Sequence, residues 1–146
     1  MDRVPRLIVN LILIAIFTIA LTACSPNTPS LGLAPSKPLV EKAIALQVRQ
    51  TQQQLTQQLQ SFPPKFDITQ VRLKQLQPLF LGGLPTYRVR GYYNLTFKLQ
   101  NQPVTQTKNN FDVFIQRQKE GKTWRLLIPE DISNTLPTRW RTYRIY

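Results

Sequence analysis

The chain of 146 residues has no histidine and a single cysteine, and only seven of its residues are Asp or Glu. The missing histidines remove the commonest general base and the commonest metal ligand. One cysteine forms neither an intrachain disulfide nor a Cys-rich zinc site. So few acids argue against a carboxylate-rich calcium or magnesium site. There is no Gly-x-Ser-x-Gly stretch and no Gly-rich loop to cradle phosphate. No catalytic residue, metal ligand or cofactor is expected, and the length fits one domain.

What is present begins with a leader. Met1-Asp2-Arg3-Val4-Pro5-Arg6 is short and positive, and an apolar run follows from Leu7 to Ala23. A positive start, an apolar stretch and small residues at its end describe a secretory signal peptide. Its last four residues, Leu21-Thr22-Ala23-Cys24, are an aliphatic residue, two small residues and the cysteine. This resembles the lipobox of bacterial lipoproteins. The resemblance implies diacylglycerol and palmitate on Cys24 and cleavage between Ala23 and Cys24. It places the chain in the bacterial cell envelope, joined to the membrane by lipid. Ser25, where many inner-membrane lipoproteins carry Asp, points by the same resemblance to the outer membrane. A retained transmembrane helix and plain secretion are the competing readings. The apolar run would span about 25 Å as a helix, short of a bilayer core of about 30 Å.

Composition shifts after the leader. Of 19 basic and 7 acidic residues, the leader holds Arg3, Arg6 and Asp2, so the rest keeps 17 against 6, or +11. The basic character therefore belongs to the exported part, while the 42% hydrophobic content is inflated by the leader. Residues 24–37, rich in Pro and Ser, read as a tether. Residues 38–129 read as one domain, and 130–146 as a basic aromatic tail or an edge strand.

Within the domain the pattern predicts a helix over Pro38–Ser61. Ile44, Val48, Thr51, Leu55 and Leu59 line one face, and Pro63-Pro64 end it. Tyr87 to Gln100 then alternates, with Tyr87, Val89, Gly91, Tyr93, Leu95, Phe97 and Leu99 on the buried side. Gly91 on that side is expected to let the helix approach closely. Further strands are expected at 104–118, with Phe111, Val113 and Ile115 inward, and at 123–128, with Trp124, Leu126 and Ile128 together. An earlier strand at 66–77 slips phase between Ile68 and Val71, as a bulge would make it. Lys119-Glu120-Gly121-Lys122 is a hairpin turn. The expected architecture is α+β: one long N-terminal helix on a curved antiparallel meander of four strands, five if the tail joins. This element order resembles the cystatin-like and nuclear-transport-factor-two-like superfamily. That resemblance implies a sheet wrapped about a helix, and among its members are enzymes, inhibitors and ligand carriers.

Two surface features stand out. Phe80, Leu81 and Leu84 flank Gly82-Gly83 in a stretch expected as a contact loop or as a cap on the open end of the sheet. Arg88, Arg90 and Lys98 alternate outward, and Arg139, Trp140, Arg141 and Arg144 crowd the tail. Together they are candidates for an anionic partner. The leader argues against nucleic acid, leaving lipid headgroups, envelope polymers or acidic proteins. Glu130-Asp131 is better read as a solvated loop than as half a metal site. The function expected is a membrane-anchored, non-enzymatic binding or assembly module, with an envelope protein complex as a candidate partner. The alternatives are a small-ligand carrier with a cone-shaped pocket, and a hydrolase or isomerase, which needs a buried carboxylate.

Overall fold

A computed structural model of the chain describes residues 27–59, 62–130 and 139–146. The first described element is a 3-10 turn at Leu31–Leu33, with the Ser30 hydroxyl accepting from the Gly32 N–H. Helix α1 runs from Lys37 to Leu59. It is therefore not N-terminal even among the described residues. Pro38 sits in its first turn, where a missing N–H breaks no helical bond. Five strands follow: β1 Lys65–Leu81, β2 Leu84–Lys98, β3 Pro103–Arg117, β4 Trp124–Pro129 and β5 Trp140–Ile145. They form one antiparallel sheet in sequential order, and α1 packs on one face of it. The fold class is α+β, and the tail supplies the fifth strand.

The alternation in β2 decides which face is covered. Tyr87, Val89, Tyr93 and Leu95 are buried against α1, as are Phe111, Val113 and Ile115 of β3 and Leu126 of β4. Val40, Ala43 and Ile44 of α1 have no exposed surface. Fully burying an aliphatic side chain of this kind contributes about 1.5–3 kcal/mol, so this cluster fixes the helix on the sheet.

The second half of the expected helical face is not covered. Val48 packs on the core, but Leu55 is 52% exposed and Leu59 73% exposed. The four-three spacing is right for one face of the helix. Leu55 instead lines an open space between α1 and the inward side chains Tyr93, Leu95 and Phe97 of β2, and neither Leu55 nor Leu59 joins the core cluster.

Gly91 also differs from expectation. A Cβ there would lie 2.0 Å from the Arg72 carbonyl oxygen and 2.9 Å from the Phe111 ring. The space is taken by the bulged backbone of β1 and by a neighbouring strand's side chain, not by α1. The bulge lies where the phase slip predicts it: the register shifts between Thr69 and Arg72, and Gln70 has φ +51°. A second shift follows between Leu73 and Gln75.

β1 is longer than expected. It continues through Pro78 to Leu81 and turns on Gly82 and Gly83, with φ +58° and +74°. Two positive φ values in a two-residue connection suit the twist of a tight hairpin, and glycine adopts them without steric cost. Pro78 is tolerated because β1 is an edge strand.

Candidate functional site

Phe80, Leu81 and Leu84 are thus strand residues beside the Gly82-Gly83 turn of the β1–β2 hairpin, where a loop was expected. The buried amide of Gln116 on β3 holds the tip, donating to the Leu81 carbonyl at 3.0 Å and to the Thr86 hydroxyl at 3.2 Å. Phe80 stays 45% exposed.

The basic candidates are not one patch. Arg88 and Arg90 point outward from β2 and share Asp112 of β3. Arg88 binds it in a fork at 2.8 and 2.6 Å, and Arg90 Nε lies 3.2 Å away. The hydrogen bond from Arg88 holds the Asp112 carboxyl below its ordinary range. Arg88 also lies over the Phe114 ring, which meets Trp140 edge-on at a centroid distance of 5.0 Å. Trp140 is therefore fixed on the outer face of the sheet. Lys98 pairs with Asp67 at 2.7 Å near the β2–β3 connection. Arg141 pairs with Glu130 at 2.9 Å. Arg139 is exposed at the start of β5, and Arg144 is exposed at the other end, stacked over Tyr146. Sequence spacing shows alternation within a strand. It does not show that Asp112, from the next strand, sits between two of the arginines. Ala23, Cys24 and Asp131 lie outside the described residues.

The edge of β3 is the feature that sequence reasoning missed. β4 pairs with β3 only at Phe114–Arg117. Residues 103–113 of β3 therefore have no strand on that side among the described residues. An open cleft of about 490 Å³ lies beside this edge. Gln47, Val48, Thr51, Gln52 and Leu55 of α1 form one wall. Tyr93, Leu95 and Phe97 of β2 and Gln106, Asn109 and Phe111 of β3 contribute the rest. It joins apolar side chains to amide and hydroxyl groups. Burial raises the Tyr93 phenol above its ordinary pKa. The signal available in the sequence was length: two strands of fifteen residues stand beside one of six. A six-residue strand leaves most of such an edge without a partner.

No described carboxylate is buried, and the described residues contain no cluster of acids and cysteines able to hold a metal ion. No described helix is long and apolar enough to cross a membrane.

The described part of the expected tether touches the domain at several points. Pro29 and Pro35 are buried, and Ala34 packs on the core. The Tyr87 hydroxyl donates to the Ser30 carbonyl at 2.7 Å. Burial raises the Tyr87 phenol, with nearby Arg117 acting the other way.

No family model, no curated protein and no solved structure matches this chain.

Proposed function

We propose that the protein is a lipid-anchored lipoprotein of the bacterial cell envelope whose domain is a non-enzymatic binding module. The domain receives an extended segment of an envelope protein along the edge of β3. The observation that carries this is the pairing of β3 with β4 at Phe114–Arg117 alone, beside a cleft lined by Tyr93, Phe97 and Phe111. An added strand gains backbone hydrogen bonds from the edge, and its alternate side chains enter the apolar cleft. The lipobox at Leu21-Thr22-Ala23-Cys24 supports the anchor and the envelope location, with Ser25 favouring the outer membrane. The order of one helix and then a sequential antiparallel sheet supports the cystatin-like resemblance. An enzymatic role finds no support in a chain without histidine, whose described carboxylates reach solvent.

A photo-crosslinking residue at Gln106 or Asn109, in native membranes, tests the reading. The expected result is one reproducible protein adduct from these positions and none from Arg72 on the outer face. Absence of any adduct at the β3 positions would count against an edge-binding module. The cleft volume lies within the range of small-molecule sites, which favours a second reading as a ligand carrier. Recovery of a bound small molecule without a protein adduct would select that reading.

A further inference from the structure

The register places several chain segments at one end of the sheet. Thr86 pairs with Gln116, Gln116 with Arg125, and Arg125 with Arg144. The Gly82-Gly83 hairpin, the β3–β4 turn and Tyr146 therefore all lie beyond this row, at the same end. Tyr87, one residue inside the row, holds Ser30. The N-terminal segment thus meets the body of the domain close to this end.

We infer that this end of the sheet seats against an anionic lipid leaflet. The inference rests on the lipid-anchor reading of Cys24 and adds the orientation of the domain and the surface that touches lipid. The first argument is reach. Pro29 is already buried on the domain, and an extended chain from Cys24 to Pro29 spans at most about 18 Å. A strand as long as β2 measures roughly 45–50 Å. An anchor on Cys24 therefore holds the hairpin end near the bilayer and leaves the β2–β3 connection free to stand away from it.

The second argument is the chemistry displayed there. Phe80 at the hairpin tip, Leu31 and Leu33 beside Ser30, and Tyr146 are all exposed. Aromatic and aliphatic side chains of this kind favour the membrane interface. The strand ends and turns at this end carry Arg117, Lys119, Lys122, Arg125 and Arg144 against one acid, Glu120. Elsewhere the described acids Glu41, Asp67, Asp112 and Glu130 each sit in an ion pair with a neighbouring base. The excess positive charge at the hairpin end is thus weakly compensated locally, and anionic headgroups attract such clusters.

The test uses the full-length lipidated protein purified from its membranes, with Cys24 blocked by its own lipid. Phe80→Cys and Leu33→Cys mark the near end, and Leu99→Cys marks the far end. Each carries an environment-sensitive fluorophore in vesicles of phosphatidylethanolamine and phosphatidylglycerol containing a lipid-borne quencher. The expected result is several-fold stronger quenching at positions 33 and 80 than at 99. The difference should shrink when phosphatidylcholine replaces phosphatidylglycerol. Equal quenching at both ends, or stronger quenching at 99, overturns the seating. A difference indifferent to headgroup charge overturns the anionic assignment. Mass measurement of the Cys24 peptide separates the two failures. A lipidated Cys24 with the wrong quenching pattern leaves the anchor standing and removes the orientation, whereas an unmodified Cys24 removes both.

Discussion

The phenol of Tyr87 donates to the backbone carbonyl of Ser30 at 2.7 Å, across 57 positions of the chain. Tyr87 has no exposed surface, and its ring lies 6.1 Å from that of Trp124. The aromatic body thus belongs to the core, while its hydroxyl fixes the segment ahead of α1. Tyr87→Phe keeps the ring and removes the bond. A net hydrogen bond contributes about 0.5–1.5 kcal/mol, and the loss should fall in that range on chemical denaturation. Residues 30–35 should become more sensitive to protease. Unchanged protease resistance would show that Pro29, Ala34 and Pro35 hold the segment without the phenol.

Gly91→Ala should be far more damaging than its single added carbon suggests. The new Cβ meets the Arg72 carbonyl at 2.0 Å, so backbone must move. Overpacking of this kind costs about 1–3 kcal/mol, and a rigid backbone obstacle places it at the upper end. Thermal denaturation measures it. Little change in Tm would mean that the β1 bulge relocates easily.

The two halves of α1 should respond differently. Ile44→Ala empties a fully buried site and should cost about 2–5 kcal/mol. Leu59→Ser alters an exposed side chain and should stay within about 0.5 kcal/mol of the parent. Paired urea titrations compare them. A large loss at Leu59 would mean that the helix end has a partner in solution.

Asp112 gives the outer face a pH dependence. Its carboxyl is held below the ordinary value of 3.8, chiefly by the hydrogen bond from Arg88. A pKa depressed in the folded chain contributes stability above the unfolded value, which is lost as pH falls through the folded one. The groups are partly exposed, so solvent screening keeps the contribution below about 1 kcal/mol. Asp112→Asn should flatten the stability profile below about pH 4, and added salt should narrow the difference between the two chains. Parallel profiles for both chains would show that the triad contributes nothing measurable.

Cys24→Ala should leave the leader uncut or send the protein to the wrong compartment, as followed by fractionation and mass. A mutant that still partitions into the membrane at its mature size would refute the lipobox reading.

The meander was legible because its local signals agree. Tyr87 to Phe97 alternates without interruption, Gly121 has the positive φ its turn needs, and the slip before Val71 marks a true bulge. The extension of β1 through Pro78 was not legible, because proline argues against a strand until the strand is known to be an edge. The basic face was half legible. Outward phase for Arg88 and Arg90 follows from period two, but their shared Asp112 lies more than twenty residues away. The docking of residues 29–35 had no local signal at all, since a Pro- and Ser-rich segment has the same composition whether it is packed or loose.

The sequence alone determined what depends on neighbours along the chain. It set the apolar run that ends at Cys24, the basic character of the remainder, the start of α1, the inward residues of β2 and β3, and the absence of histidine. Tertiary structure decided what depends on which strand lies beside which. A short β4 leaves most of the β3 edge without a partner among the described residues. Asp112 sits between two arginines, a bulge in β1 claims the space above Gly91, and Tyr87 draws Ser30 onto the domain. Periodicity reports the phase of each element, whereas lateral register and relative length exist only once the elements are assembled.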